Sequence, residues 1–182
     1  MDVSLAQLWL PIVLSAILVF FASALMWMAL PHHRTDWPSA PQGDRLQELM
    51  KGARPGQYVY PKMMDPSERK DAEAQKRYAE SSGFIIVKEP GMSMGKPMAL
   101  SVLHYLMISF FVAYLASVTL SASAPYMDVF RVTGTTAVLG YTGGLFGKSI
   151  WWGNSWSATI KEALDGAVYG LLTAGVFGWL WP

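Results

Sequence analysis

Four long apolar stretches constrain this 182-residue chain more than any other feature. They cover residues 8–30, 99–120, 129–150 and 163–181. Each is close to the ~20 residues that an α-helix needs to cross the hydrocarbon core of a bilayer. A hydrophobic content of 52%, with only 15% charged residues, agrees with this interpretation. The sequence therefore predicts an all-α membrane protein with four transmembrane helices.

The basic residues are unevenly distributed along the chain. Of the 14 Lys and Arg residues, all except Arg131, Lys148 and Lys161 lie between the first and second apolar stretches. Loops rich in Lys and Arg are retained in the cytoplasm, so this long loop is predicted to be cytoplasmic and both termini periplasmic. Arg131 is the exception, and Asp128 three residues earlier is its predicted ion-pair partner.

A cleaved signal peptide is the alternative interpretation of the first apolar stretch. Ala22, Ser23 and Ala24 could form a small-residue cleavage site. Residues 1–7 carry no positive charge, however, and the apolar run continues through Leu30, so a retained span is favoured. The absence of cysteine excludes disulfides and thiolate metal sites.

The segment from 31 to 98 is predicted to form a small mixed α/β or irregular cytoplasmic cap. It separates an N-terminal part, residues 1–30, from residues 99–182, which hold spans two to four. Asp65, Pro66 and Glu68 resemble a capping box that would begin a helix ending near Gly83. Short strands are predicted at 58–60 and 84–87, and a second helix at 44–51.

Small residues recur at the four-residue spacing that lets membrane helices approach closely. They indicate either packing within one bundle or a docking face for another protein or a second copy. The predicted helix-packing face consists of Gly140, Gly144, Gly166, Gly170, Ala174 and Gly178.

Three ionisable residues form a candidate polar site near the cytoplasmic ends of the spans. They are His104, Lys148 and Asp165. Asp165, Tyr169 and Thr173 share one helical face, which we expect to point into the bundle. From its position along the second predicted span, His104 lies at a membrane depth from which its side chain could reach Asp165. The site indicates either a proton or ion relay or a structural hydrogen bond.

No pattern in the chain indicates catalysis, a cofactor or a metal site. The motifs G-x-S-x-G, H-E-x-x-H and G-x-x-x-x-G-K-[ST] are absent, so we expect no enzyme activity. Imidazole and thioether groups at His32, His33 and the methionines suit copper(I), but thiolates are missing. His32, His33 and Arg34 are instead predicted to contact lipid phosphates. The expected partners are the lipid bilayer and a membrane protein or second copy, with no role for nucleic acid.

The stretches PHHRTDW, GQYVYP, GMSMGKPM and DGAVYGLLTAGVFGWLWP resemble an uncharacterised family of small bacterial multi-span membrane proteins. The resemblance implies a bacterial inner membrane and no particular activity. The leading hypothesis is a non-enzymatic accessory or scaffolding subunit, or a self-associating helical bundle. The alternative is a small ion- or proton-coupled transporter that uses an intramembrane His/Asp pair.

Overall fold

The structure is a computed structural model that describes residues 3–62, 66–67, 70–91 and 93–182. The chain forms two compact units. Met1–Trp37 and Met94–Pro182 together make the helical unit, and Pro38–Ser93 makes the second unit. Residues 31–37, which we assigned to the cap, therefore pack with the helices.

The described residues of the helical unit form five α-helices. They are α1 (Trp9–Ala24), α4 (Gly95–Thr119), α5 (Tyr126–Thr142), α6 (Leu145–Trp152) and α7 (Trp156–Trp179). A 3₁₀ turn, Leu5–Leu8, precedes α1, and a π-helical turn, Leu25–Ala29, follows it. Helix α1 packs against α4 and α7, and α5 lies along α7. Val112, Val129, Ala137 and Phe177 are among the residues of the apolar core between these helices.

Two helical segments are long and apolar enough to cross a membrane: Leu5–Ala29 and Gly95–Thr119. Only 33% and 22% of their most apolar segments are buried, whereas the core helix of a water-soluble protein is mostly buried. A signal sequence near the N-terminus would pass the same test, but Leu5–Ala29 packs against α4 and α7. Two possible membrane spans are therefore present among the described residues.

The third predicted span, residues 129–150, is not one continuous helix. Helix α5 ends at Thr142, and α6 starts at Leu145 after the pair Gly143 and Gly144. Two consecutive glycines disfavour a helix because of their high backbone entropy. Helix α5 alone is about 25 Å long at ~1.5 Å per residue, and α6 is a separate short helix. The predicted ion pair of Arg131 with Asp128 is confirmed, at 3.6 Å between Nη1 and Oδ1.

Helices α5 and α7 pack as an antiparallel pair with small residues at the contact. A side chain added at Gly166 would meet Thr142, and one at Gly170 would meet Val138. Further along, Ala174 faces Gly134 and Gly178 faces Tyr126. The partner number on α5 falls as the number on α7 rises, as expected for antiparallel helices. The stripe predicted on the fourth span therefore packs inside the bundle.

The second unit holds α2 (Gly43–Leu49), α3 (Ala72–Glu80) and a two-stranded antiparallel sheet. Strand β1 (Gly56–Tyr60) pairs with β2 (Gly83–Val87), with Tyr58 opposite Ile85. Both predicted strands and the helix near 44–51 are confirmed. The helix that we predict to end near Gly83 corresponds to α3, and its described part is shorter than predicted. Asp71 caps α3 by accepting hydrogen bonds from the backbone N–H groups of Glu73 and Ala74. The predicted capping box of Asp65 and Glu68 lies outside the described residues.

Candidate functional site

Two adjacent histidines lie where the chain leaves the first helical segment. Leu30 is extended, as the residue before a proline prefers, and this ends the helix. Pro31 then begins a 3₁₀ turn, Pro31–His33, because its fixed φ suits the first helical position. The turn places the rings of His32 and His33 with their centroids 4.1 Å apart.

Both histidines contact the carboxylate of Asp165 on α7. The Nε2 atom of His33 lies 2.8 Å from Oδ2 of Asp165. The Nε2 atom of His32 lies 3.1 Å from Oδ1 and 3.4 Å from Oδ2 of the same carboxylate. A single buried carboxylate on α7 is thus the common partner of two imidazoles at the end of the first span.

A second carboxylate, Asp36, holds the other side of His33. Its Oδ2 lies 2.6 Å from Nδ1 of His33, and its Oδ1 accepts a hydrogen bond of 2.6 Å from Nζ of Lys161. Lys161 stands one helical turn before Asp165 on α7. We call these five residues, His32, His33, Asp36, Lys161 and Asp165, the His–Asp cluster.

The two ring nitrogens of His33 both face carboxylate oxygens. A neutral imidazole has only one N–H group, so it can donate to one carboxylate and not to both. The second contact requires a further proton, on the ring or on a carboxylate, or a cation bound by both Nε2 and Asp165. The geometry therefore calls for one added positive charge between the two carboxylates.

The electrostatics of the cluster follow from its burial and its pairing. Burial lowers the pKa of His33, but the hydrogen bonds and charges of Asp165 and Asp36 outweigh it, so the pKa lies above the ordinary value. The hydrogen bond from Lys161 is the main reason that the pKa of Asp36 lies below its ordinary value. The side chains of His33 and Asp36 are each 4% exposed, and that of Asp165 is 8% exposed. The side chain of His32 is 31% exposed, so it is the more accessible of the two imidazoles.

Trp27 fixes the plane of the His33 ring. Its indole is stacked on the imidazole with ring centroids 3.9 Å apart and an angle of 8° between the planes. Together with the Nδ1 contact to Asp36, this stacking leaves Nε2 of His33 aimed at Asp165. Stacking on Trp27 and the contact with Asp36 therefore set the orientation of the His33 ring.

Buried hydroxyl groups continue from the cluster into the bundle. Lys161, Asp165, Tyr169 and Thr173 are spaced by four residues, so they share one face of α7. Asp165, Tyr169 and Thr173 are all buried, as the spacing predicted. The hydroxyls of Ser109, Tyr141 and Tyr169 complete no hydrogen bond with the part of the chain that the structure describes. Near the Tyr141 hydroxyl lie Ser109 and Thr173, and near that of Tyr169 lies Trp27.

Of the three residues predicted to form the polar site, the structure places only Asp165 in the cluster. His104 is exposed on α4, and its ring contact is with Tyr105. Lys148 is exposed on α6 and forms no ion pair with Asp165 in the described chain. The partners that sequence reasoning missed are His32 and His33. Their signal was their position at the end of the first predicted span, which is also the predicted depth of Asp165.

Most of the predicted helix-packing face is occupied within the bundle. Gly140 lies against Ile108 of α4, where an added Cβ would be 3.1 Å from Cγ2. The stripe of α7 packs against α5, as described above. Gly144 has open space around it because it lies at the break between α5 and α6.

The nitrogens and oxygens of the cluster are suited to a metal ion. His32, His33 and Asp165 each offer one ligand atom, and these atoms lie within 4.8 Å of one another.

No family model, curated protein or solved structure matches this chain. The chemistry of the site must therefore be inferred from its own residues.

Proposed function

We propose that the protein is a small, non-enzymatic, ion-coupled transporter of the bacterial inner membrane. The observation that carries this proposal is the buried carboxylate of Asp165, which faces two imidazoles at the meeting point of the first helical segment and α7. Ionisable groups at membrane depth are costly, and they are typical of ion and substrate pathways. The His–Asp cluster is the proposed cation site of this transporter.

The charge balance of the cluster favours a cation as its ligand. The cluster contains two carboxylates, Asp36 and Asp165, and one ammonium group, Lys161, which contacts Asp36. With neutral histidines the cluster carries one net negative charge. Burying such a charge without compensation is unfavourable, so a bound cation or an added proton completes the cluster.

The buried hydroxyls give the proposed cation a polar route away from the cluster. Tyr169 follows Asp165 by one helical turn, and its ring lies 5.7 Å from that of Tyr141. Both tyrosine hydroxyls and that of Ser109 are buried. Hydroxyl groups in such positions can hydrogen-bond water or a ligand as well as one another. They extend the polar region towards the middle of the bundle.

The outer surface of the helices supports a membrane setting. Large apolar side chains are exposed on α1, α4, α6 and α7, beyond what a soluble monomer presents. We propose four spans, with α5 and α7 joining the two longer apolar segments. The family resemblance and the basic loop support an inner-membrane protein whose termini are periplasmic.

Transport is tested with purified protein in liposomes. Wild-type protein is expected to carry a cation flux, which falls to that of empty liposomes in Asp165→Asn because the charge of the site is lost. Asp128→Asn is the matched control, since Asp128 forms an exposed pair with Arg131. Flux is followed with ion-sensitive dyes for protons, Na⁺, K⁺, Mg²⁺ and Zn²⁺. Absence of flux for every cation, or equal flux in Asp165→Asn, contradicts the proposal.

The second candidate is an accessory subunit or self-associating bundle. It is favoured by the open space around Gly144 and Gly147, where an added Cβ would meet no described atom within 4 Å. The internal use of Gly140, Gly166, Gly170, Ala174 and Gly178 removes most of the surplus of small residues on which this hypothesis depended. The accessory-subunit hypothesis would be favoured if the protein carries no flux and copurifies from native membranes with a stoichiometric partner.

Cysteine labelling tests the proposed topology in this cysteine-free chain. A cysteine at Ser123 is expected to react with an impermeant reagent in cells with a permeabilised outer membrane. A cysteine at Ser67, in the basic loop, is expected to react only after the inner membrane is opened. The reverse pattern contradicts the orientation of the spans.

A further inference from the structure

We infer that His32, His33 and Asp165 form a binding site for a borderline divalent metal ion of the zinc class. The inference names the cation of the proposed function, but it concerns binding and can be tested without transport. Each of the three residues offers one ligand atom within 4.8 Å of the other two, and both histidines face the Asp165 carboxylate through Nε2. Two imidazoles and one carboxylate are a common ligand set for zinc.

The distances in the site are close to those that a metal ion requires. In a tetrahedral zinc site with bonds of about 2.0–2.1 Å, neighbouring ligand atoms lie about 3.3–3.5 Å apart. Here one oxygen, Oδ2 of Asp165, lies 2.8 Å from Nε2 of His33 and 3.4 Å from Nε2 of His32. The His32 distance already suits an ion, and an outward shift of His33 by about half an ångström or slightly more would make room for it.

The surroundings of His33 prepare it as a ligand. Nδ1 of His33 is 2.6 Å from Asp36, and a metal-bound histidine commonly donates its other N–H to a carboxylate in this way. Lys161 holds Asp36 in turn, through a hydrogen bond of 2.6 Å. With Nδ1 protonated, Nε2 of His33 presents its lone pair to the metal, and any proton on Nε2 is released to solvent. The parallel Trp27 ring restricts rotation of the imidazole.

The ligand count leaves one coordination position of the ion open. Structural zinc sites are closed by four protein ligands, whereas three leave a position for water or for another ligand. The side chain of His32 is 31% exposed, so the ion can enter and leave from that edge. Hard cations such as Mg²⁺ and Ca²⁺ prefer oxygen ligands, and copper(I) prefers sulfur ligands, so neither class matches this set.

Zinc binding to the full chain in mild detergent tests the inference. After treatment with a chelator, wild-type protein is expected to bind Zn²⁺ with one-to-one stoichiometry, without competition from excess Mg²⁺. His32→Gln is expected to weaken binding by more than the roughly 10–100-fold that loss of an outer partner costs, and Asp36→Asn by about that amount. His104→Gln is the matched control, because it removes the remaining histidine of the chain from an exposed position.

Two results would overturn the metal site. One is the absence of saturable zinc binding by the wild-type protein, and the other is equal loss of affinity in His32→Gln and His104→Gln. Cobalt substitution gives an independent readout, since the visible absorption of Co²⁺ reports ligation without requiring His33 variants to fold. Asp165-dependent flux without zinc binding would refute the metal site alone. Zinc binding without flux would refute the transporter alone.

Discussion

Replacing Gly170 with alanine is expected to push α5 and α7 apart and to lower the free energy of unfolding by about 1–3 kcal/mol or more. A Cβ at this position would lie 2.9 Å from the backbone nitrogen and 3.1 Å from the Cα of Val138. Backbone atoms cannot rotate away as a side chain can, so relief requires a shift of the whole helix. Unfolding in detergent with increasing denaturant, followed by far-UV circular dichroism, measures the change.

Gly175→Ala is the matched control for Gly170→Ala. Gly175 lies on the same helix, and an added Cβ there would meet no described atom within 4 Å. The control should be neutral or stabilising by up to about 1 kcal/mol, because alanine favours a helix more than glycine does. Similar destabilisation by both substitutions would show that the loss comes from the helix itself and not from the α5–α7 contact.

The long apolar stretches of the sequence predicted helices well because a continuous apolar run of about 20 residues suits a helix in contact with lipid. They located the segments that became α1, α4 and α7. The stretch-based prediction had a limit in the third segment. It did not predict the break at Gly143 and Gly144, since glycine is also common inside membrane helices. A glycine pair in a predicted span therefore does not by itself indicate whether the helix continues or breaks there.

The small-residue spacing correctly identified surfaces that allow close approach, but it could not identify the partner. The spacing of Gly166, Gly170, Ala174 and Gly178 suits contact with another chain as well as with α5. Only the fold shows that Val138, Thr142 and Tyr126 occupy that face. One-dimensional spacing contains no information on which helix lies opposite.

The site was predicted in part, for a similar reason. Asp165 stood out because a carboxylate within a span needs a partner. His104 was chosen by depth alone, and depth does not specify the side of a helix. His32 and His33 were assigned to the lipid interface because they follow a span, whereas Pro31 begins a turn that directs them towards α7. A turn of three residues is too short for a periodic pattern.

Replacement of Asp165 by leucine is expected to destabilise the helical unit by about 3–5 kcal/mol, the cost of removing one partner of a buried ion pair. His33 would keep its contact with Asp36 but would lose the acceptor for Nε2, 2.8 Å away in the wild-type protein. Asp128→Asn again provides the control, because an exposed ion pair contributes only about 0–1 kcal/mol. All measurements are made with a chelator present, so that loss of a bound ion does not contribute.

A double-mutant cycle separates the His33–Asp165 interaction from general disruption of the site. His33→Phe removes both ring nitrogens but retains an aromatic ring that can stack on Trp27, while Lys161 still neutralises Asp36. The double variant His33→Phe, Asp165→Leu lacks both the imidazole of His33 and the carboxylate of Asp165. Loss of the His32 contact is common to Asp165→Leu and the double variant, so it cancels in the cycle. The destabilisation of the double variant should therefore be smaller than the sum of the single changes by about 0.5–3 kcal/mol. Additive effects would mean that the two side chains do not interact, and the cluster would then lose its central contact.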